Sequence, residues 1–177
     1  MIKLEITQSM LDFANQKEEQ AKSEEWAGSK SVTNFRARRA GFLGEAAFCE
    51  RFGAQSENTF GYDAIINNDS FDIKTKRSLH VPNVETWEGT VPGYSEQEPD
   101  YFAFFNIHFD KKTGEGKTAQ FYNPLAIYFG GVISWNDYFE KRYYVEEGQR
   151  YSTNPNSAHI SQWNVDWKDL KDLPRIA

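Results

Sequence analysis

Residues 63–74 constrain this chain more than any other stretch. Two short apolar runs, Ala64 to Ile66 and Phe71 to Ile73, flank the polar residues Asn67, Asn68, Asp69 and Ser70, the pattern of a β-hairpin. The second run carries Asp72 and Lys74, two positions apart. Side chains at that spacing share one face of a strand, with Ile73 on the other. If residues 67–70 form the loop, Ile66 pairs with Phe71 and Ala64 with Ile73. A two-residue Asn67-Asn68 turn shifts that pairing. Both registers put Asp63 on the face of Asp72 and Lys74, and only a three-residue loop would separate them. Clustered carboxylates repel one another unless something cationic joins them. Mg²⁺ is suited to such a place, because it takes one or two carboxylates and completes its octahedron with water and phosphate oxygens.

The segment before the hairpin predicts a helix over residues 34–52, closed by Gly53. Within it Glu45 has Phe42, Phe48, Cys49 and Phe52 at helical spacing, so a carboxylate lies on the apolar stripe. An unpaired charge there is costly. It is either a metal-ligating group or half of a structural ion pair with a buried arginine. Gly41 and Gly44 would let another backbone approach this helix closely.

The rest of the chain reads more coarsely. Residues 8–25 are polar and helical, opened by Thr7 or Ser9. Residues 78–99 hold three prolines and two glycines and read as a long loop, a length usually tied to function or mobility. Tyr101 to Phe109 is a strongly apolar strand, Lys111 to Lys117 a turn, and Ala119 to Ser134 one or two further strands. Trp135 to Tyr144 suggests a short helix, and Val165 to Leu173 another, stopped by Pro174. The whole is expected to be one α/β domain over residues 1–177, with a central mixed sheet and helices on both sides. Its core spans about 35–140, and helix 8–25 and tail 145–177 decorate it.

Charge and cysteine content narrow the partners. The net charge of −6 is unusual for a protein that binds nucleic acid, but it is unevenly spread. Lys30, Arg36, Arg38 and Arg39 fall in a stretch without acids, as do Lys74, Lys76 and Arg77, whereas residues 81–100 carry only acids. Local patches set phosphate binding, although each patch also fits an ordinary solvated face. One cysteine excludes an internal disulfide and a cysteine-rich zinc site. No apolar run reaches a membrane span and the N-terminus lacks a signal-peptide pattern, so the cytoplasm is the expected location. Gly114 to Thr118 imitates the end of a phosphate-binding loop, but the required first glycine is Lys111. His80, His108 and His159 lack metal-ligand spacing. Cys49, Trp163 and Trp167 read as core.

The ordered set Glu45, Asp63, Asp72-x-Lys74 resembles the PD-(D/E)XK nuclease signature, with Tyr62 in place of the first proline. Residues 41–48 resemble the helix that often precedes the hairpin in that family and offers a glutamate to the metal. The likeness covers roughly residues 35–140, in the order helix, hairpin, strand, strand, helix. It implies a restriction-endonuclease-like αβββαβ core and Mg²⁺-dependent hydrolysis of DNA, with Mn²⁺ able to substitute. Glu45, Asp63, Asp72 and the Ile73 carbonyl would hold metal, and Lys74 would position the attacking water. Arg36, Arg38, Arg39, Lys76 and Arg77 would contact phosphates. Cutting both strands often needs a symmetric dimer, so a homodimer is compatible with this reading. The competing expectation is a nuclease-like module that binds nucleic acid or serves a phage structure without catalysis.

Overall fold

The structure is a computed structural model that describes residues 1–23, 35–57, 59, 61–114, 119–149, 158 and 160–173. Its centre is a mixed six-stranded sheet. In chain order its strands are β1 (Ile2–Leu4), β2 (Gln55–Ser56), β3 (Ala64–Ile66), β4 (Asp69–Ser78), β6 (Tyr101–Thr113) and β7 (Gln120–Ser134), arranged β1-β7-β6-β4-β3-β2. A second sheet of order β5-β9-β8 joins β5 (Glu88–Pro92), β8 (Tyr143–Val145) and β9 (Gln162–Asp166).

Helices α1 (Gln8–Ser23) and α2 (Phe35–Phe52) both pack on one face of the large sheet. Thr7 opens α1, its hydroxyl accepting the Met10 N–H at 3.2 Å, as expected of an N-cap threonine. The same hydroxyl donates to Glu50, which ties the start of α1 to the end of α2. Gly53 ends α2 at φ +64°, a left-handed turn that glycine makes at no steric cost. Ala40, Leu43, Ala47 and Phe48 form the buried stripe of α2, at the 3–4 residue spacing of one helix face. They meet Phe71, Ile73, Ala103, Phe105 and Ile107 of the sheet.

The opposite face is not a second helical layer. It is covered by the small sheet and the seven-residue α3 (Trp135–Lys141), which close over Phe102, Phe104 and Ile133. Tyr138 of α3 packs on Phe102 at a ring distance of 4.7 Å.

Several sequence expectations change here. The hairpin turn is the two-residue Asn67-Asn68, with φ of +51° and +74°, so Ala64 pairs with Phe71 rather than with Ile73. Asparagine tolerates that left-handed backbone, and a two-residue turn matches the natural twist of the strands. The long loop 78–99 contains β5. It must be long, because β4 and β6 run parallel, and parallel neighbours require a crossover. Residues 120–134 form one strand, and β6 continues to Thr113 where a turn was expected. The helix expected over Val165 to Leu173 is instead β9 followed by a 3₁₀ turn at Trp167–Asp169. The tail therefore supplies the middle strand of the small sheet rather than an ornament. Its pairing with β5 joins segments about 75 residues apart, which no local pattern announces. Among the described residues no helix is long and apolar enough to cross a membrane.

Candidate active site

The candidate site lies where β3 stops and β4 runs on. The pairing Ala64↔Phe71 brings Asp63 opposite Asp72, and beyond that point the pairing of β3 with β4 ends. Asp63 fills the resulting notch: its Oδ2 accepts the Ile73 N–H at 2.7 Å. A strand residue directs its N–H and C=O toward the same side, so the Ile73 carbonyl also faces this edge. The Ile73 side chain points the other way, into the α2 core, and is 6% exposed.

Asp72 and Lys74 share the face of Phe102 and Phe104, their register partners on β6. Asp72 is only 1% exposed. Lys74 Nζ lies 2.6 Å from its Oδ2, a close ion pair whose angle is not that of a hydrogen bond, so this buried oxygen has no hydrogen-bond donor. Lys74 Nζ donates to Gln97 Oε1 at 2.9 Å, from the segment that leads into β6.

Glu45, on α2, is half-buried and lies near enough to Asp72, Asp63 and Lys74 for their charges to act on one another. Burial pushes its pKa up to about 7, the positive charges of Lys17 and Lys74 oppose the rise, and the negative charge of Asp72 adds to it. Burial also holds the Asp63 carboxyl well above the usual range, reinforced by Glu45 and Asp72 and opposed by Lys74 and the Ile73 N–H. The cations acting on Glu45 are thus two lysines, not the buried arginine considered from sequence. Lys17, on α1, carried no sequence signal. Cys49, one turn beyond Glu45, has its thiol raised to about 11 by burial and then by Glu45, as suits an inert core residue.

Gly44 explains how α2 comes close enough. A Cβ at this position would collide with the Thr75 hydroxyl of β4, so only glycine lets the helix seat against the strand. Gly44→Ala should cost about 1–3 kcal/mol by overpacking. Thermal melts on that variant check the effect.

The basic residues separate on inspection. Arg39 is exposed and Arg38 half-buried. The Arg36 side chain, Lys30, His159 and residues 115–118 lie outside the described residues. Lys76 and Arg77 alternate onto opposite faces of β4, so they do not form one patch. Lys76 pairs with the buried Glu88 of β5 at 3.2 Å. Arg77 lies 4.8 Å over the Phe121 ring, and Nη1 donates to the Ala119 carbonyl at 3.4 Å. Lys76→Ala should therefore act on stability. Stranding Glu88 beneath the small sheet should cost about 3 kcal/mol in denaturant titrations. Arg39→Ala should stay within about 0.5 kcal/mol.

Among the described residues no three histidine, cysteine, aspartate or glutamate side chains form a ready cage for an ion. The donor set still suits a hard cation. Mg²⁺ needs only one or two carboxylates. Asp72 offers a buried oxygen without a donor, beside two carboxyls that burial and mutual repulsion keep proton-hungry. Comparison with protein-family models, with curated proteins and with solved structures finds no match for this chain.

Proposed function

We propose that this protein is a divalent-metal-dependent nuclease that hydrolyses phosphodiester bonds in DNA. The observation that carries the reading is the notch itself. Three carboxyls from α2, the loop before β3 and β4 come within electrostatic reach of one another and of one lysine, at a strand edge open to a backbone ligand. Such an arrangement is costly for a fold that gains nothing from it.

In this reading Asp63, Asp72, Glu45 and the Ile73 carbonyl would hold Mg²⁺ or Mn²⁺. The ion supplies Lewis acidity and neutralises charge on the scissile phosphate. Lys74 orients the attacking water and meets the negative charge that grows on the phosphate oxygens. Glu45, near neutrality by its pKa, is suited to hold or release a proton beside that water. Arg38 and Arg39, on the first turns of α2, are candidate phosphate contacts. The order α2, β3-β4 hairpin, β6, β7, α3 is the basis for reading the core as restriction-endonuclease-like.

A second reading has one observation in its favour. The charges of the notch are partly answered from within, with Asp72 ion-paired to Lys74 and Asp63 bonded by the Ile73 N–H, as a binding module without catalysis would allow. Mn²⁺ calorimetry on the wild-type protein, beside cleavage of duplex, single-stranded and branched DNA, separates the two. The nuclease reading expects a stoichiometric site and metal-dependent scission of at least one DNA form. Absence of both leaves the binding module.

A further inference from the structure

Among the described residues Lys74 contacts two side chains, Asp72 and Gln97, and only Asp72 is a candidate metal ligand. The second, Gln97, sits on a segment pinned at both ends. At one end the Gly93 N–H donates to the Ser161 carbonyl beside β9 at 2.9 Å. A Cβ on Gly93 would lie 2.9 Å from that carbonyl, so glycine permits the contact. At the other end Asp100 Oδ2 accepts both the N–H and the hydroxyl of Ser70, at 2.8 and 2.7 Å, and the Asp100 N–H donates back to that hydroxyl at 3.0 Å. Between these anchors Gln97 Oε1 accepts from Lys74 Nζ at 2.9 Å and from the Ser95 hydroxyl at 3.1 Å. The crossover between β4 and β6 is thereby a strap. The small sheet anchors it on one side and the hairpin on the other, and its payload is one amide oxygen on the lysine.

We infer that Gln97 is a positioning residue, which keeps the Lys74 ammonium in place when Asp72 turns its charge to a divalent cation. The inference rests on the nuclease reading of the same notch. Asp72 cannot give its full charge to a divalent ion and to Lys74 at once. As the ion binds, the ammonium loses its closest counter-charge and is repelled by the new cation. A neutral acceptor already at 2.9 Å holds it without competing for the ion. Removing that acceptor penalises the metal-bound state more than the metal-free state, where Asp72 still pairs with Lys74. The coupling therefore reads out in metal affinity, independently of turnover.

The test is Mn²⁺ calorimetry on wild type, Gln97→Leu, Gln97→Glu, Lys74→Ala and the Lys74→Ala/Gln97→Leu double variant. Gln97→Leu should weaken Mn²⁺ binding by several-fold and at most about tenfold, because the hydrogen bond to the ammonium exists in both states and only its strengthening on metal binding is lost. Gln97→Glu keeps an oxygen acceptor and should bind Mn²⁺ at least as tightly as wild type. In the Lys74→Ala background the leucine substitution should change nothing, because Gln97 acts through the ammonium. Unchanged affinity in Gln97→Leu overturns the inference while leaving the metal site intact. So does a loss that persists without Lys74, which would mark a general displacement of the strap. A wild-type protein that binds no Mn²⁺ removes the inference together with the nuclease reading, and that outcome is visible before any variant is made.

Discussion

On the proposed nuclease reading, Asp72→Asn should abolish DNA cleavage, by about 10³-fold or more, with the fold preserved. The amide is nearly isosteric, but it lacks the negative charge a hard cation requires. Asp72 is 1% exposed and pairs with Lys74 at 2.6 Å, so the substitution also breaks that pair, and the metal-free variant should melt lower than wild type. Lys74→Ala should fail differently. It removes the sole cation in contact with Asp72 Oδ2 among the described residues, and leaves a buried carboxylate without a counter-charge. The metal-free protein should lose about 3 kcal/mol, cleavage should fall severely, and Mn²⁺ should bind more tightly than in wild type. Mn²⁺ should also raise the melting temperature of Lys74→Ala more than that of wild type. Calorimetry, thermal melts and a plasmid-nicking assay on the two variants would distinguish a ligand from a cation. Equal Mn²⁺ affinity in Asp72→Asn and wild type would remove Asp72 from the ligand set.

The second large effect is one of stability. Glu45 has a pKa of about 7 in the folded chain against a usual value of 4.5. Between those values the folded protein keeps a proton that the unfolded chain has lost. The stabilisation is therefore complete below pH 4.5 and is lost as pH rises to about 7. At 1.36 kcal/mol per unit the span is worth about 3 kcal/mol. Asp63 is raised for the same principal reason, burial, and acts in the same direction. Metal-free protein should accordingly be less stable at pH 8 than these two groups allow at pH 5. Glu45→Gln should remove most of the Glu45 share, making the protein more stable at pH 8 by about 2–3 kcal/mol, or roughly 5–10 °C in melting temperature. On the nuclease reading, the variant should also lose metal affinity. Melting curves of wild type and Glu45→Gln in chelator from pH 5 to 8 provide the check, and parallel curves for the two proteins would contradict the burial of this carboxyl.

Much of the hairpin could be read from the sequence because its physics is local. Strand periodicity alone put Asp72 and Lys74 on one face and Ile73 on the other. Both even-length turns keep Asp63 with Asp72, so the site could be read without knowing which of the two registers the Asn67-Asn68 turn would select. Glu45 was conspicuous because a carboxylate on an apolar helical stripe needs a reason, and helix spacing reveals that without tertiary information. Gly53 was legible as the end of α2, and Thr7, which opens α1, was one of the two candidates the sequence offered beside Ser9.

What the sequence could not specify depends on contacts between distant segments. Lys17 acts on Glu45 only because α1 docks beside α2. Lys76 and Arg77 looked like a basic patch because they are adjacent, yet a strand sends neighbours to opposite faces, and each found a partner that only the fold could supply. Gln97 carries no motif and gains its place because the β4–β6 crossover is tied down at Ser161 and Ser70. The small sheet was hidden for the same reason: β5 is rich in strand-breaking residues, and β9 pairs with it across about 75 positions. The sequence by itself determined the mixed α/β character and the set of charged groups on the hairpin and its helix. Tertiary structure alone decided which charges are neutralised in place, since burial and counter-charge are properties of the packed chain and have no period along it.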